Sequence, residues 1–295
     1  MVETTIILWY NRPILYMNTM EEYMKAELKL QVENFAKDVR ATSLEMFGHL
    51  GFGHVGGTLS ATDLIAVLYE AQMKYDPKNP KLDDRDRFVS SKGHAGPGIY
   101  SALALKGFFP MEWIYTLNKG GTNLPSHCDK TKTPGIDMTT GSLGQGASAA
   151  LGMAIATRDK GNHVYLLMGD GECNEGQVWE MAMSAAHYGV SNLIAFVDYN
   201  HKQLDGNTED ILDMGDIGAK FETFGWYKQE VDGADVEAIY DAIEDAKENN
   251  GGKPSMIVLQ TIKGKGVKWI EEMAANHHIV INKEQAEAAI AEVRA

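Results

Sequence analysis

The spacing of apolar positions changes repeatedly along this chain, and each change predicts an element. From Glu21 the segment EEYMKAELKLQVENFAKDVRATSLEMF carries Leu28, Val32, Phe35, Val39 and Leu44 at helical spacing, which predicts one long amphipathic helix. The glycine-rich loop GHLGFGHVGGTLS follows. Ser60 is then the expected N-cap, with Asp63 in the first turn, of the helix ATDLIAVLYEAQM. DPKNPKLDDRD is a polar, turn-rich connector. RFVSS reads as a short strand running into the loop KGHAGPG, and the helix IYSALALKGF comes next. The stretch NKGGTNLPSHCDKTKTPGIDMTTGSLGQG has no period and much Gly, Pro and Thr. It is too long for an idle linker, and long loops in compact domains are usually functional. ASAALGMAIATRDKG is an alanine-rich helix suited to close packing.

The centre of the chain is the clearest part. NHVYLLMGDG is a buried strand ending in a tight turn, NEGQVWEMAMSAAHYGV a helix, and NLIAFVDYN a second buried strand. Such a βαβ unit implies parallel strands and a right-handed crossover. KFETFGWYKQEVDG, the helix DVEAIYDAIEDAKENN and a third buried strand, PSMIVLQTIKGKG, follow. The alternation predicts an α/β fold, a mostly parallel sheet with helices on both faces. No repeat or low-complexity linker divides it, so residues 21–295 are expected to form one domain. Residues 1–20 are expected to be an extension outside the fold, with Met17 or Met20 as the true start. Their apolar patch, Ile6 to Tyr10, lacks the basic region and cleavage site of a signal peptide.

Composition narrows the function classes. The 295 residues are 44% hydrophobic and 23% charged, as in ordinary globular proteins. A formal net charge of −14 gives no field that would attract nucleic acid or an anionic membrane, and no apolar run is long enough to span a bilayer. Any phosphate site must be local, built from backbone N–H groups, a metal ion or a few placed side chains. The two cysteines, Cys128 and Cys173, have neither CxxC nor zinc-like spacing and are expected to be reduced thiols of a cytoplasmic protein.

Ligands of open α/β sheets bind beyond the carboxyl ends of the strands. Two such ends carry oxygen ligands: Asp170 in MGDGE and Asn200 in VDYNHK. A right-handed crossover brings them to one sheet edge. A carboxylate, an amide oxygen and a nearby backbone carbonyl make half of an octahedral shell suited to Mg2+. Taken singly, each is also an ordinary turn residue. Gly169 and Gly171 permit close backbone approach to phosphates. TTGSLGQG opens onto a helix but is not the GxGxxG fingerprint, which disfavours a nicotinamide site. Of nine histidines, four stand in unusual loop settings: His54 in FGHVGG, His94 in SKGHAGPG, His127 in LPSHCD and His277 in ANHHI. They could converge on the same face as proton-transfer groups or hydroxyl ligands. Zinc is the rival reading, weakened by the lack of HxH or HExxH spacing. His49, His163, His187 and His201 are expected to be structural or surface residues.

Together these strings resemble the transketolase family, specifically the half that binds the diphosphate of thiamine diphosphate. GDGECNEG followed by YN resembles the cofactor signature, and FGHVGG, DRFVSSKGHA, LPSHCD and TTGSLGQG occur in the family's order, from about Glu21 to the C-terminus. The resemblance implies that Asp170, Asn200 and the Lys202 carbonyl ligate Mg2+. It implies that Gly171 and Asn200 touch the diphosphate, that His94 and His277 approach it, and that Gly141, Ser142 and Leu143 lie beside the cofactor. His54 and His127, with His277, would form the catalytic histidine set that binds the donor ketose and moves protons. His277 is preferred to the adjacent His278. Glu175 would join a carboxylate network across a subunit interface. Tyr199 departs from the Asp or Asn common in related signatures, at a position that ligates nothing. The family's pyrimidine-binding domain, which supplies a glutamate to the cofactor and most basic residues for sugar phosphates, has no counterpart here. The resemblance therefore implies a split transketolase acting with a separate C-terminal subunit, as an α2β2 assembly on sugar phosphates. The alternatives are a 1-deoxyxylulose-phosphate synthase, the alpha subunit of a 2-oxoacid dehydrogenase, a transketolase-like enzyme for an unusual sugar phosphate, and a non-catalytic scaffold subunit.

Overall fold

The computed structural model describes the backbone of residues 12–295 and side chains from residue 26 onward. Of the expected N-terminal extension, residues 1–11 therefore lie outside the described residues. Helix α1 spans Arg12–Leu50 and buries Val32, Phe35, Val39 and Leu44, the stripe its period predicts. A two-residue strand β1 (Phe52–Gly53) leads into α2 (Val55–Leu59) and α3 (Thr62–Val67), the latter continuing as a wider turn at Leu68–Gln72. Ser60 does not cap α3. The preceding segment is itself helical, and Ser60 N–H already donates to the Gly56 carbonyl within it, so the hydroxyl is free for another partner.

Strand β2 (Arg87–Ser90) passes through a short turn into α4 (Gly96–Leu105). The long aperiodic stretch stays irregular after a 3-10 turn at Met111–Thr116. It is pinned to β2 by the Arg85–Asp137 ion pair and by Phe88 N–H donating to Asp137 at 2.9 Å. α5 (Gln145–Thr157), β3 (Val164–Gly169), α6 (Gly176–His187) and β4 (Leu193–Tyr199) complete the expected βαβ unit. α7 (Thr208–Leu212), α8 (Ile217–Thr223), β5 (Tyr227–Asp232), α9 (Val236–Asn249), β6 (Ser255–Gln260), α10 (Lys268–Glu271), β7 (Ile279–Val280) and α11 (Lys283–Arg294) follow.

Five strands form one sheet in the order β2-β3-β4-β6-β5, every pair parallel. One apolar layer, from α1, α3, α4, α9 and α11, covers one face, and a second, from α5, α6 and α8, covers the other. β3, β4 and β6 are buried along nearly their whole length, which is why they read as continuous apolar runs. The edge strand β5 escapes sequence reading because YKQEVD is half exposed and carries no apolar run. β1 pairs antiparallel with β7, Phe52 against Val280 and Gly53 against Ile279. That clip holds the segment before α2 to the segment after the His277–His278 pair. No described helix is long and apolar enough to cross a membrane.

Candidate active site

Because the strands are parallel, the turns after them open on one edge. Four neighbouring strands each deliver groups to a single cleft of about 270 Å³: Lys92 and His94 after β2, Asp170 and Gly171 after β3, Asn200 and Lys202 after β4, and Lys263 after β6. His54, His127, Gly141, Leu143 and His277 come to the same cleft from loops. Ser142 is exposed and does not line it, although its neighbours on both sides do. Glu175 is also exposed, at the start of α6 beside Gly144, outside the cleft.

Asp170 and Asn200 are both nearly buried. Asp170 accepts from Gly171 N–H at 2.8 Å and from the Thr208 hydroxyl at 3.2 Å. Burial, with the Asp198 charge nearby, pushes the Asp170 carboxyl above the usual range. A divalent cation would reverse that tendency by favouring the charged form. The Asn200 amide oxygen accepts from Lys202 N–H at 3.2 Å. Among the described residues no three His, Cys, Asp or Glu form a metal-binding group. The candidate set is therefore one carboxylate, one amide and one backbone carbonyl, all hard oxygens.

Two buried lysines escape the sequence reading. Lys92 pairs with the fully buried Asp198. Lys263 donates to the Lys202 carbonyl at 2.8 Å and the Gln203 carbonyl at 3.2 Å. Burial, aided by the Lys92 charge, lowers the Lys263 ammonium to about 8. The strings SKGHA and IKGKG hold both residues, but a lysine in a glycine-rich loop has no period to distinguish it. Glu172 escapes as well. It is buried, accepts from Gly144 N–H at 2.7 Å, from Gly169 N–H at 3.1 Å and from the Ser91 hydroxyl, and so ties the MGDGE turn to the TTGSLGQG loop.

The four singled-out histidines do converge. The ring of His54 lies 5.6 Å from His94, 5.2 Å from His127 and 5.3 Å from His277, centre to centre. His278 touches His54 from the side of Phe52, with ring separations of 4.9 and 5.6 Å, and does not line the cleft. Burial, with His127 and His278 adding, lowers His54 to about 4. Burial and the Lys263 charge lower His277 to about 3, and burial lowers His94 and His127 as well. At neutral pH these are neutral imidazoles, able both to donate and to accept. His127 Nδ1 is held by the Ser126 hydroxyl at 2.9 Å, which leaves Nε2 as the free ring nitrogen. Asn276, the residue before His277, is itself anchored. Its buried amide donates to the Lys263 carbonyl at 2.8 Å and the Ile270 carbonyl at 2.9 Å.

A phosphate-bearing ligand fits this arrangement. The cleft has backbone without side chains at Gly57, Gly141, Gly169 and Gly171, and a Cβ at Gly57 would sit 3.1 Å from His94 Nε2. His277 Nδ1 is buried and makes no hydrogen bond among the described residues. Three lysines, Lys92, Lys202 and Lys263, line the cleft although the chain as a whole carries a net charge of −14.

Fold and cleft together define a parallel α/β protein with a cleft suited to a phosphate-bearing ligand at the carboxyl edge of its sheet. Residues 32–293 match the family described as transketolase, thiamine diphosphate binding domain, and the chain belongs to the transketolase family. It is 50% identical over 270 residues to a Clostridium sp. (strain MSTE9) protein named 6-deoxy-6-sulfo-D-fructose transketolase subunit SqwG, a match covering 91% of this chain and 98% of that one. It is 38% identical over 244 residues to an apulose-4-phosphate transketolase subunit of Actinobacillus succinogenes, covering 82% and 88% respectively. Human transketolase is 36% identical over 279 residues, 93% of this chain but 44% of that protein. The crystal structure of transketolase from Campylobacter jejuni superposes with a TM-score of 0.84 at 28% identity, over 90% of this chain and 43% of that one.

Proposed function

We propose that this chain is the diphosphate-binding subunit of a two-chain transketolase, which moves a two-carbon ketol unit from a ketose to an aldose with thiamine diphosphate and Mg2+. The carrying observation is the meeting of Asp170, Asn200, Lys202 and four neutral histidines in one cleft. The 50% identity to a protein named as a transketolase subunit, nearly end to end, supports a separate partner chain, here proposed as an α2β2 assembly. The substrate in that relative's name makes 6-deoxy-6-sulfo-D-fructose the first donor to assay, with ketose phosphates second.

Asp170, Asn200 and the Lys202 carbonyl would hold the metal. Gly171, His94, His277 and Lys263 would face the diphosphate, and Gly141 and Leu143 would flank the cofactor rings. Thiamine diphosphate, when bound, supplies the ring carbon that adds to a ketone and stabilises a carbanion. The chain's own part is positioning and proton movement. His54 and His127 would hydrogen-bond the donor hydroxyls, and the free Nε2 of His127 would accept the hydroxyl proton as the carbon–carbon bond beyond the carbonyl breaks. Glu175 would meet carboxylates of the partner, its exposure at the start of α6 leaving it available. The test is ketol transfer by this chain co-purified with its companion chain, followed by mass spectrometry. Transfer from 6-deoxy-6-sulfo-D-fructose or a ketose phosphate supports the reading. Turnover of pyruvate alone, or no cofactor binding with any companion chain, refutes it.

A further inference from the structure

Asp198 stands two residues before Asn200 in VDYN, inside β4 and fully buried. One of its oxygens, Oδ2, accepts from the Ser60 hydroxyl at 2.6 Å, from the Lys92 ammonium and from the Asn200 side-chain amide at 3.1 Å. The other accepts from the Thr261 hydroxyl. Four donors saturate what a carboxylate can accept. All four lie outside β4: Ser60 between α2 and α3, Lys92 in the turn after β2, Thr261 just after β6 and Asn200 just after β4 itself. The main-chain carbonyl of Asp198 also accepts from Asp170 N–H at 3.3 Å.

We propose that Asp198 is a positioning residue that sets both side-chain members of the cation clamp. Its carbonyl fixes the backbone at Asp170, and its carboxylate fixes which way the Asn200 amide points. An asparagine amide has a donor end and an acceptor end of almost equal size, and only the acceptor end can ligate a hard cation. Here the donor end meets the Asp198 carboxylate and the acceptor end meets Lys202 N–H at 3.2 Å. A flipped amide would set oxygen against carboxylate and N–H against N–H at the same two contacts, so both contacts oppose the flip. The Asn200 oxygen keeps a second lone pair for a cation, and Asn200, Asp170 and Lys202 all line the cleft. Pairing with Lys92 accounts for a buried charge at position 198 but not for the amide lodged against it. The amide contact has its own consequence, which is orientation. The assignment rests on the metal-binding reading above.

The experiment uses the full chain with thiamine diphosphate and Mn2+ as the metal probe, free Mn2+ being read by electron paramagnetic resonance. Asp198→Asn, whose amide tolerates either orientation of Asn200, is expected to lower Mn2+ affinity by about 10- to 100-fold, the range for groups that orient metal ligands. Ser60→Ala removes another donor from the same carboxylate oxygen without touching Asn200. It is expected to lower the unfolding midpoint and leave Mn2+ affinity unchanged. Wild-type affinity in Asp198→Asn, or an equal loss in Ser60→Ala, overturns the assignment. The wild-type chain gives an independent reading by nitrogen–proton NMR. Side-chain amide protons of Asn200 held by a buried carboxylate resist exchange with solvent, whereas exchange as fast as that of a surface asparagine overturns the assignment even if Asp198→Asn does not fold. Failure of the wild-type chain to bind Mn2+ with thiamine diphosphate, alone and with its companion chain, would instead refute the metal reading, and the exchange measurement would still decide whether Asp198 holds the Asn200 amide.

Discussion

Gly93 sits where the turn after β2 crosses the loop that carries Gly141, and Gly93→Ala tests whether that crossing builds the cofactor cleft. A Cβ at position 93 would lie 2.7 Å from the carbon and oxygen of the Thr140 carbonyl and 2.8 Å from Gly141 N. All three are main-chain atoms, so no flexible side chain can yield. Ordinary carbon contacts begin near 3.5 Å, so the two loops must part by roughly 0.8 Å. Overpacking of this kind costs about 1–3 kcal/mol. Two hydrogen bonds stitch the same crossing, Cys128 N–H to the Gly93 carbonyl at 3.3 Å and Thr140 N–H to the Cys128 carbonyl at 3.1 Å, and parting the loops stretches both. Lys92 and His94 flank the methyl, and a displacement of about 1 Å at such a site costs on the order of 100-fold in function. The assay pairs urea unfolding with calorimetric titration of thiamine diphosphate in Mg2+. Gly152→Ala is the control: exposed on α5 with no atom within 4 Å of its Cβ, it is expected to stabilise by about 0.5–1 kcal/mol. A Gly93→Ala chain as stable as wild type, with undiminished cofactor affinity, would refute the reasoning.

Asp170→Ala is expected to abolish Mg2+-dependent binding of thiamine diphosphate, and full affinity by calorimetry would remove Asp170 from the metal set. His127→Ala is expected to lower kcat/KM for the donor by on the order of 100-fold while sparing cofactor affinity; the opposite split would move His127 to the diphosphate. Asn276→Ala leaves the Lys263 and Ile270 carbonyls without their buried donor, and urea unfolding is expected to show a loss of about 1–3 kcal/mol. His54 and His277 are held at about 4 and about 3, below their unfolded value. Between the unfolded value near 6.5 and those folded values the unfolded chain binds more protons. Stability of the cofactor-free chain therefore falls as pH drops through that window, and His54→Gln flattens part of the fall. Denaturation curves at pH 7, 6 and 5 with coincident midpoints would contradict the assignment.

The legible parts of this molecule are those in which one residue's environment repeats along an element. β3, β4 and β6 are buried on both faces, so their side chains had to be apolar, and the sequence declares them. β5 lies at the sheet edge with one flank in water, and YKQEVD is what such an environment permits. The candidate ligands at strand ends are legible because parallel topology sends Asp170 and Asn200 to the same edge whatever the loops do. Ser60 misleads for a related reason. A serine before an apolar period normally caps, but here the preceding loop is helical and the hydroxyl turns to Asp198, 138 positions away in sequence. Lys92, Lys263 and Glu172 depend on such distant partners too. Their burial is a property of the assembled sheet edge, which no local pattern carries.

The cleft reconciles an acidic chain with an anionic ligand by separating two kinds of neutralisation. Lys92 is committed to Asp198, so its charge is largely spent inside the protein and serves to hold the turn after β2 in place. Among the described residues Lys263 donates to the carbonyls of Lys202 and Gln203, and burial with the Lys92 charge lowers its affinity for its proton. A diphosphate arriving with a divalent cation would relieve both strains at once. The cation would satisfy the Asp170 carboxyl that burial and Asp198 push toward protonation, and the phosphate oxygens would stabilise the Lys263 ammonium. Cation and anion are each disfavoured alone, since either leaves one buried charge uncompensated. Metal and diphosphate should therefore bind this chain with strong mutual dependence, as a single unit.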